Sequence, residues 1–216
     1  MEAPFANREE AGLRLAEALE EYAGRDDVIV LGLPRGGVPV AFVLAQRLRL
    51  PLDVFLVRKL GVPGFEELAL GAIASGGVRV LNEEVLASLP SAAASLESVA
   101  TRETVELKRR EHLYRGQRPP LVLWGRSVIV VDDGIATGSS MRAAIAALRK
   151  SECARIVVAV PVGPPDTCGE LRKEADEMIS VLEPESFCAV GEFYQDFSQV
   201  TDDEVRYLLA QAARPM

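Results

Sequence analysis

The sequence predicts an α/β fold built around a parallel sheet. Apolar runs of strand length alternate with helical patterns over residues 28–57 and again over 128–182. Strands that alternate with helices form right-handed βαβ units, whose strands lie parallel in one sheet. Between these stretches, from Gly61 to Arg118, the alternation stops, so we expect an insertion there.

The elements before this interruption follow from local signals. Asn7 can cap a first helix, Glu10 completes a capping box with it, and Gly24 ends the element. The other elements of this part are, in order, a strand over 28–33, a turn over 34–37, a helix over 38–48 and a strand over 53–57.

The interrupting segment has a different pattern. Residues 61–77 are rich in Gly and contain Pro63-Gly64, which predicts a loop. A short strand over 78–81, a helix from Asn82 to 89 and a long polar helix over 95–115 are expected to follow. We therefore predict one domain, residues 1–216, in which residues 61–118 form a flexible loop and a helical cap, called the hood below.

The alternation then resumes towards the C-terminus. Strands are expected over 128–131, 156–161 and 178–182, and helices over 141–150 and 165–175. Residues 187–193 read as strand-like, and a final helix is expected over 202–213.

The composition excludes several classes of protein. A net charge of −8 and a pI near 4.9 argue against nucleic acid or an anionic membrane as a partner. No apolar run approaches the roughly 20 residues of a membrane helix, and residues 1–10 lack the apolar core of a secretory signal. Three cysteines without a Cys-x-x-Cys pair favour free thiols, and hence a cytoplasmic protein. His112 is the single histidine, which disfavours a zinc site or a Ser-His-Asp triad.

The most informative segment is 128–140, which reads Val-Ile-Val-Val-Asp-Asp-Gly-Ile-Ala-Thr-Gly-Ser-Ser. A buried strand ends in Asp132 and Asp133, and a turn of small residues leads into a helix. Ligands of open α/β sheets bind at the carboxyl ends of strands, and a helix N-terminus after a Gly-rich turn offers N–H groups to phosphate. Carboxylates beside a phosphate need a partner of their own, either sugar hydroxyls or a divalent cation. The segment therefore predicts a ribose-phosphate site.

This segment resembles the donor-binding signature of type I phosphoribosyltransferases, whose donor is 5-phosphoribosyl 1-diphosphate (PRPP). The resemblance implies a Rossmann-like parallel-sheet core with an inserted helical hood. It also implies that Asp132 and Asp133 hold the ribose and that the following loop holds the 5′-phosphate. The residues expected to contact this part of PRPP are Asp132, Asp133, Gly134, Ile135, Ala136, Thr137, Gly138, Ser139 and Ser140.

A second Gly-rich turn, within Leu-Gly-Leu-Pro-Arg-Gly-Gly-Val at 31–38, follows the first predicted strand. Successive backbone N–H groups beside a guanidinium form an anion-binding nest. In the family it resembles, the corresponding loop grips pyrophosphate, so Arg35, Gly36 and Gly37 are expected to do so here. The alternative is an ordinary Arg-Gly-Gly turn.

Two cations, Arg58 and Lys59, come at the end of the second predicted strand. They are either solvated surface charges or a second contact to pyrophosphate at the edge where Asp132 lies. With the resemblance, the residues expected to act in catalysis are Asp132, Asp133, Arg35 and Lys59.

The Gly-rich stretch over 61–71 has two interpretations. The resemblance implies a mobile loop that closes over PRPP and excludes water, with Glu66 or Glu67 facing the developing cation or the base. The alternative is an ordered hairpin on the surface.

The C-terminal segment over 183–197 resembles the base-binding segment of purine phosphoribosyltransferases. Phe187 matches the aromatic residue that stacks on the base, with Cys188 beside it. Asp196 matches an acid that approaches the metal, so Asp133 and Asp196 are the expected ligands of Mg²⁺. The alternative is that these aromatic residues belong to the core.

The chain departs from the 6-oxopurine enzymes at two places. Those enzymes carry an acid three residues after the second motif acid, where this chain has Ala136, and a lysine that residues 160–165 lack. Transfer to hypoxanthine or guanine by that route is therefore not expected.

These observations lead to one function and two alternatives. The expected function is a Mg²⁺-dependent phosphoribosyltransferase of nucleotide salvage that joins PRPP to a nucleobase or related heterocycle, or runs the reverse reaction. The alternatives are a non-catalytic protein that senses PRPP or a nucleotide, and a phosphoribosyl hydrolase or phosphorylase. An exposed apolar edge of the hood would make a homodimer unsurprising.

Overall fold

The computed structural model describes residues 5–62, 65–88 and 90–213 and has two sheets. The strands, in chain order, are β1 (Val28–Gly32), β2 (Leu52–Val54), β3 (Val57–Val62), β4 (Phe65–Ala74), β5 (Val78–Leu81), β6 (Ser127–Val131), β7 (Arg155–Val162) and β8 (Glu177–Leu182). The helices are α1 (Arg8–Glu17), α2 (Gly37–Leu48), α3 (Glu83–Ser88), α4 (Pro90–Arg115), α5 (Ser139–Lys150), α6 (Pro165–Glu174) and α7 (Asp202–Ala212).

The central sheet has five strands in the order β2-β1-β6-β7-β8, and all its pairings are parallel. Alternate residues of the inner strands face opposite layers of helices. Ile129 and Val131 pack with residues of α1 and α2, whereas Val128 and Val130 pack with residues of α5 and α6. The predicted α/β fold with a parallel core sheet is confirmed.

The second predicted strand is partly wrong. Of residues 53–57, only the first two belong to the strand β2, which ends at Val54, and the chain then bends away to start β3 in another sheet. Ser75 holds the bend: its hydroxyl accepts from the Leu56 N–H at 3.0 Å, and its own N–H donates to the Leu56 carbonyl at 2.9 Å. An apolar run alone does not reveal such a bend, because both halves are buried.

The Gly-rich stretch after residue 61 forms strands rather than the expected loop. β3, β4 and β5 make an antiparallel sheet, called the second sheet below. A Cβ atom at Gly71 would lie 2.1 Å from the Val80 carbonyl oxygen, so this glycine lets β4 and β5 approach closely. The antiparallel pairing of β3 with β4 agrees with the alternative interpretation of residues 61–71, an ordered hairpin. The assignment of residues 61–118 as an insertion stays a prediction.

The second sheet lies between two helices. Leu60 and Ile73 pack with Leu107 of α4, whereas Ala74 and Val80 pack with residues of α5. Consecutive residues of β3 therefore face α4 and α5 in turn. This alternation places Arg58 and Lys59 on opposite faces.

Residues 187–193 are not the strand that the sequence indicates. They contain one short 3₁₀ turn, Val190–Phe193, and the chain continues without a neighbouring strand until Tyr194 makes an isolated parallel bridge with Phe5. Stacking of Phe187 on Phe193, with ring centroids 5.4 Å apart, accounts for the apolar residues that suggested a strand. Among the described helices, none has the length and apolarity needed to cross a bilayer.

A buried ion pair joins α4 to the central sheet. Arg115 Nε and Nη2 lie 3.0 and 3.1 Å from the two carboxylate oxygens of Asp53, and both side chains are 11% exposed. Removing one member of such a pair leaves a buried charge without compensation. The pair thus anchors the C-terminal end of α4 beside β2.

We predict that Arg115→Met lowers the free energy of unfolding by about 3 kcal/mol, because Asp53 is left unpaired. Urea denaturation measures the change. Arg109→Met is the matched control on the same helix: Arg109 is exposed and pairs with Glu106 at the surface, so little change is expected. Equal midpoints for Arg115→Met and the parent protein would contradict the prediction.

Candidate functional site

The two acids of the 128–140 segment lie at the carboxyl end of the central strand β6. Val131, the last residue of β6, pairs with Gly32, the last residue of β1, so the turn after β1 begins beside the acids. The Leu33 N–H donates to the Val131 carbonyl at 2.8 Å, which extends the pairing by one residue. The two predicted binding segments therefore meet at one edge of the sheet.

Glycines allow this turn to touch the acids. A Cβ atom at Gly36 would lie 2.0 Å from Asp133 Oδ2, and one at Gly37 would lie 2.5 Å from the Val131 carbonyl oxygen. Contacts this short mean that any side chain at Gly36 would displace the Asp133 carboxylate, and one at Gly37 would displace the backbone of Val131 and Asp132. The structure thus brings Asp132 and Asp133 against Gly36 and Gly37, residues that the sequence assigns to ribose and pyrophosphate.

The two carboxyl groups share an electrostatic environment that opposes ionisation. Burial, and then the charge of Asp133, raise the pKa of Asp132 well above its ordinary range. Burial also raises the pKa of Asp133, although the guanidinium of Arg8 acts in the opposite direction. The Asp133 N–H donates to Asp132 Oδ1 at 2.9 Å. Hydroxyl donors or a cation placed beside this pair would favour the charged form.

Arg8, at the start of α1, is a site residue that the sequence did not suggest. Its Nε and Nη2 both lie 2.8 Å from Asp133 Oδ2, and its Nη1 donates to the Ser198 carbonyl at 2.9 Å. The guanidinium also lies over the ring of Phe197, 4.0 Å from the centroid. No local pattern could reveal the ion pair, because 125 residues separate its partners.

Tyr194 is a second residue of the site to which the sequence assigned no role. Its hydroxyl donates to the Asp133 carbonyl at 2.5 Å. Burial, and then the charge of Asp133, raise the pKa of Tyr194 well above its usual range, which keeps the phenol a donor. The cluster of aromatic residues over 193–197 was the only signal for it.

Residues 134–138 form the turn that the sequence predicts ahead of α5, whereas Ser139 and Ser140, also expected in the turn, begin the helix. Gly134 has φ of 157°, and a Cβ atom there would lie 2.5 Å from Val190 Cγ1, whereas Gly138 is left-handed with φ of 71°. The N-terminus of α5 starts directly after it, at Ser139. A helix N-terminus preceded by such a turn favours an anion.

Two side chains hold the loop from behind. Arg142 Nη1 donates to the Thr137 carbonyl at 2.8 Å, and the Thr167 hydroxyl donates to the Ala136 carbonyl at 3.0 Å. The hydroxyls of Thr137 and Ser139 lie 3.0 Å apart on its exposed side. The loop thus presents the hydroxyls of Thr137 and Ser139 outwards, while the carbonyl groups of Ala136 and Thr137 accept hydrogen bonds from α5 and α6.

Arg35 lies at the tip of the turn after β1 and follows a cis peptide bond to Pro34. Its Nη1 is 3.9 Å from Asp202 Oδ1, at the start of α7. The same Asp202 oxygen accepts from the Tyr114 hydroxyl of α4 at 2.6 Å. The guanidinium that is expected to meet pyrophosphate thus lies beside Asp202 in a long, half-exposed ion pair.

The structure separates the two cations of β3. Arg58 faces α4, where its Nε lies 2.8 Å from a carboxylate oxygen of the buried Glu103. Lys59 lines a cavity of about 340 Å³ between the second sheet and α5, together with Ser139 and Ser140. Of the two, Lys59 is thus the one placed beside the N-terminus of α5, whereas Arg58 pairs with Glu103 of α4.

The predicted base-binding residues lie on the C-terminal segment. Phe187 is half-buried and stacks on Phe193, whereas Cys188 is exposed. Asp196 Oδ1 accepts a hydrogen bond from the Ser198 N–H at 2.9 Å. Hydrogen bonds from the backbone and the side chain of Ser198 lower the pKa of Asp196. The side chains of Glu66 and Glu67 lie outside the described part of the structure.

No three acids, histidines or cysteines within residues 5–62, 65–88 and 90–213 form a group that could hold a metal ion. Asp133 and Asp196 both lie near Arg8, which forms an ion pair with the first and lowers the pKa of the second. Their oxygens already engaged are Oδ2 of Asp133 and Oδ1 of Asp196.

Known proteins resemble this chain over most of its length. A family model described as "Phosphoribosyl transferase domain" matches residues 6–197. Proteins from Mycobacterium tuberculosis strains CDC 1551 / Oshkosh and H37Rv, each named "Putative phosphoribosyl transferase", are 46% identical over 210 residues. The match covers 97% of this chain and 47% of each relative, so the chain spans about half the length of the curated relatives it matches.

A solved structure shares the whole fold. The crystal structure of TT1426 from Thermus thermophilus is 44% identical in sequence and superposes with a TM-score of 0.88. The match covers 98% of this chain and 100% of that one. The arrangement of sheet, hood and loops described above thus also occurs in a related protein.

We predict that Gly36→Ala lowers the free energy of unfolding by about 1–3 kcal/mol, because its methyl group would overlap the Asp133 carboxylate. Urea denaturation measures the loss. Gly169→Ala in α6 is the control: no atom lies within 4 Å of its added Cβ, so this variant should be as stable as the parent or more so. A Gly36→Ala protein as stable as the control would contradict the described packing.

We predict that iodoacetamide at pH 8 modifies Cys188 first. Cys188 is exposed, whereas burial raises the pKa of Cys153 and of Cys168 to about 11, which keeps both as unreactive thiols. Mass spectrometry of the folded protein over time identifies the modified residue. Cys188→Ser should remove the fast phase, and equally fast modification of Cys168 would contradict the structure.

Proposed function

The chain belongs to the phosphoribosyltransferase family, and on this basis we propose that it transfers the 5-phosphoribosyl group of PRPP to a nitrogenous base, or catalyses the reverse reaction. The acceptor is a nucleobase or a related heterocycle, and pyrophosphate is the second product. Nucleotide salvage is the corresponding metabolic role.

The observation that carries this proposal is the contact between the two loops at the end of β1 and β6. PRPP places a pyrophosphate directly on a ribose carbon, so its site needs an anion-binding turn beside hydroxyl acceptors. The Gly36–Asp133 and Gly37–Asp132 contacts put such a turn and such acceptors side by side. A site for an ordinary phosphate monoester would not need this second anion-binding turn.

The proposed roles follow from the geometry. Asp132 and Asp133 accept hydrogen bonds from the ribose hydroxyls. The loop over 134–140 and the N-terminus of α5 hold the 5′-phosphate. Arg35, with the backbone N–H groups of Gly36 and Gly37, holds pyrophosphate and stabilises the charge that develops as it leaves. Lys59, on the cavity shared with Ser139 and Ser140, adds a cation on the hood side.

Mg²⁺ fits the carboxylate oxygens of this site as part of a complex with the substrate. Mg²⁺ is commonly held by one or two carboxylates together with substrate phosphates rather than by a full set of protein ligands. Asp133 and Asp196 would supply such carboxylates through the oxygens that do not engage Arg8 or the Ser198 N–H. When bound, Mg²⁺ would neutralise part of the pyrophosphate charge.

For the acceptor, we propose a planar heterocycle bound near the C-terminal segment. Phe187 offers an aromatic ring there, and Cys188 is exposed beside it. Ala136 stands where the 6-oxopurine enzymes have an acid, so a hypoxanthine or guanine route that needs this acid is not proposed. We also propose a cytoplasmic location, since the three cysteines are free, and a homodimer.

A PRPP-sensing protein without catalysis is the second candidate. Ala136 favours it, because the position that handles a proton in the 6-oxopurine enzymes holds no titratable group. Calorimetry distinguishes the two functions: PRPP binding without turnover of any base in a panel would support the sensor. Breakdown of PRPP without an acceptor would instead indicate a hydrolase.

We predict that Asp132→Asn with Asp133→Asn weakens PRPP binding and lowers pyrophosphate release by at least about 100-fold, because two charge-assisted hydrogen-bond acceptors are lost. Pyrophosphate release from PRPP is measured across a panel of bases. Asp203→Asn, an exposed acid on α7 whose side chain is 91% accessible, is the control and should behave as the parent. Undiminished activity of the double variant would overturn the proposed function.

A further inference from the structure

Arg8 is held in a way that differs from a solvated arginine. Its side chain is only 12% exposed, and each of its three guanidinium nitrogens has an acceptor. Nε and Nη2 contact the same oxygen, Asp133 Oδ2, while Nη1 contacts the Ser198 carbonyl. The flat face of the guanidinium lies over Phe197. These contacts fix the orientation of the Arg8 side chain, because the guanidinium is planar and its three nitrogens move together.

The partner of Arg8 is itself confined. Asp133 Oδ2 contacts the Arg8 guanidinium and also lies against Gly36, where an added Cβ atom would be 2.0 Å away. The backbone of Asp133 is held at the same time, since the Tyr194 hydroxyl donates to its carbonyl. The carboxylate therefore has little freedom to rotate while Arg8 is in place. Arg8, Asp133 and Gly36 form a continuous series of contacts from α1 to the pyrophosphate turn.

We propose that Arg8 is a positioning residue for the ribose of PRPP, because it holds the Asp133 carboxylate against Gly36 and so fixes the ribose acid relative to the pyrophosphate turn. This inference rests on the proposed function. Arg8 acts through Asp133 and is not itself expected to contact the reacting atoms.

This role has a ligand-selective consequence. Ligands that contain the ribose need Asp133 in its held orientation, whereas inorganic pyrophosphate without Mg²⁺ needs only the turn over 35–37. Loss of Arg8 should therefore weaken binding of PRPP and of ribose 5-phosphate but leave pyrophosphate binding nearly unchanged. General damage to the fold would weaken the binding of all three ligands together.

The test compares Arg8→Gln, Arg8→Lys and the control Arg14→Gln by calorimetry with PRPP, ribose 5-phosphate and pyrophosphate. Pyrophosphate is measured without Mg²⁺, because the metal would join it to Asp133. Arg14 is on the same helix and lies over the ring of Phe5, so its variant removes a similar contact away from Asp133. We expect about tenfold weaker binding of both ribose ligands in Arg8→Gln and less than a twofold change for pyrophosphate. Arg8→Lys should be intermediate, because an ammonium lacks the planar fork.

Phe197→Leu is a second variant that keeps the charge of Arg8 and removes the ring beneath it. It should weaken the ribose ligands about threefold, again without affecting pyrophosphate. This variant decides the matter if Arg8→Gln does not fold.

The outcomes separate the two proposals. If the parent protein binds PRPP and the Arg8 and Phe197 variants bind it equally well, the inference on Arg8 is wrong and the proposed function stands. Parallel losses for ribose 5-phosphate and pyrophosphate would also overturn it, since a general structural role would explain them. A parent protein that binds no PRPP would overturn the proposed function, and the role of Arg8 with it.

Discussion

The close packing of the turn after β1 against the end of β6 is the constraint on which the candidate site depends. Gly36 lies so near the Asp133 carboxylate, and Gly37 so near the Val131 carbonyl, that a side chain at either position would displace these groups. The parallel register of β1 with β6 places these segments at the same height on the sheet. Two features with different chemistry, a cationic anion-binding turn and a pair of hydroxyl acceptors, thereby become one site.

Segments from both ends of the chain complete this site. Arg8 at the start of α1 neutralises Asp133, and Tyr194 binds its carbonyl, so the two terminal segments close over the same residue. Arg35 lies beside Asp202 of α7, which in turn accepts a hydrogen bond from Tyr114 of α4. Lys59 lines the cavity beside Ser139 and Ser140 because the second sheet packs on α5. The central sheet thus positions the loops, and the second sheet and the terminal segments place charged side chains beside them.

Patterns confined to a few consecutive residues were readable in advance, and those that depend on partners were not. The strand and the turn around Asp132 and Asp133 are encoded in thirteen consecutive residues, and the helix follows directly, so their prediction did not depend on the rest of the chain. Gly71 shows the limit, because a glycine that permits close strand pairing looks in sequence like a glycine of a loop. Phe187 and Phe193 show it too. These two aromatic residues stack on each other, but in sequence they look like apolar residues of a buried strand.

The sequence by itself determined the α/β core and the kinds of groups at its edge, since strand–turn–helix signals and glycine-rich anion-binding turns are local. Only the tertiary structure decided which charge meets which. Arg58 pairs with Glu103, whereas Lys59 lies beside Ser139 and Ser140, although the two cations are neighbours in sequence. The tertiary structure also joins Arg8 to Asp133. The physical reason is that ion pairing depends on distance in space and on burial, and both are set by packing between segments far apart in the chain.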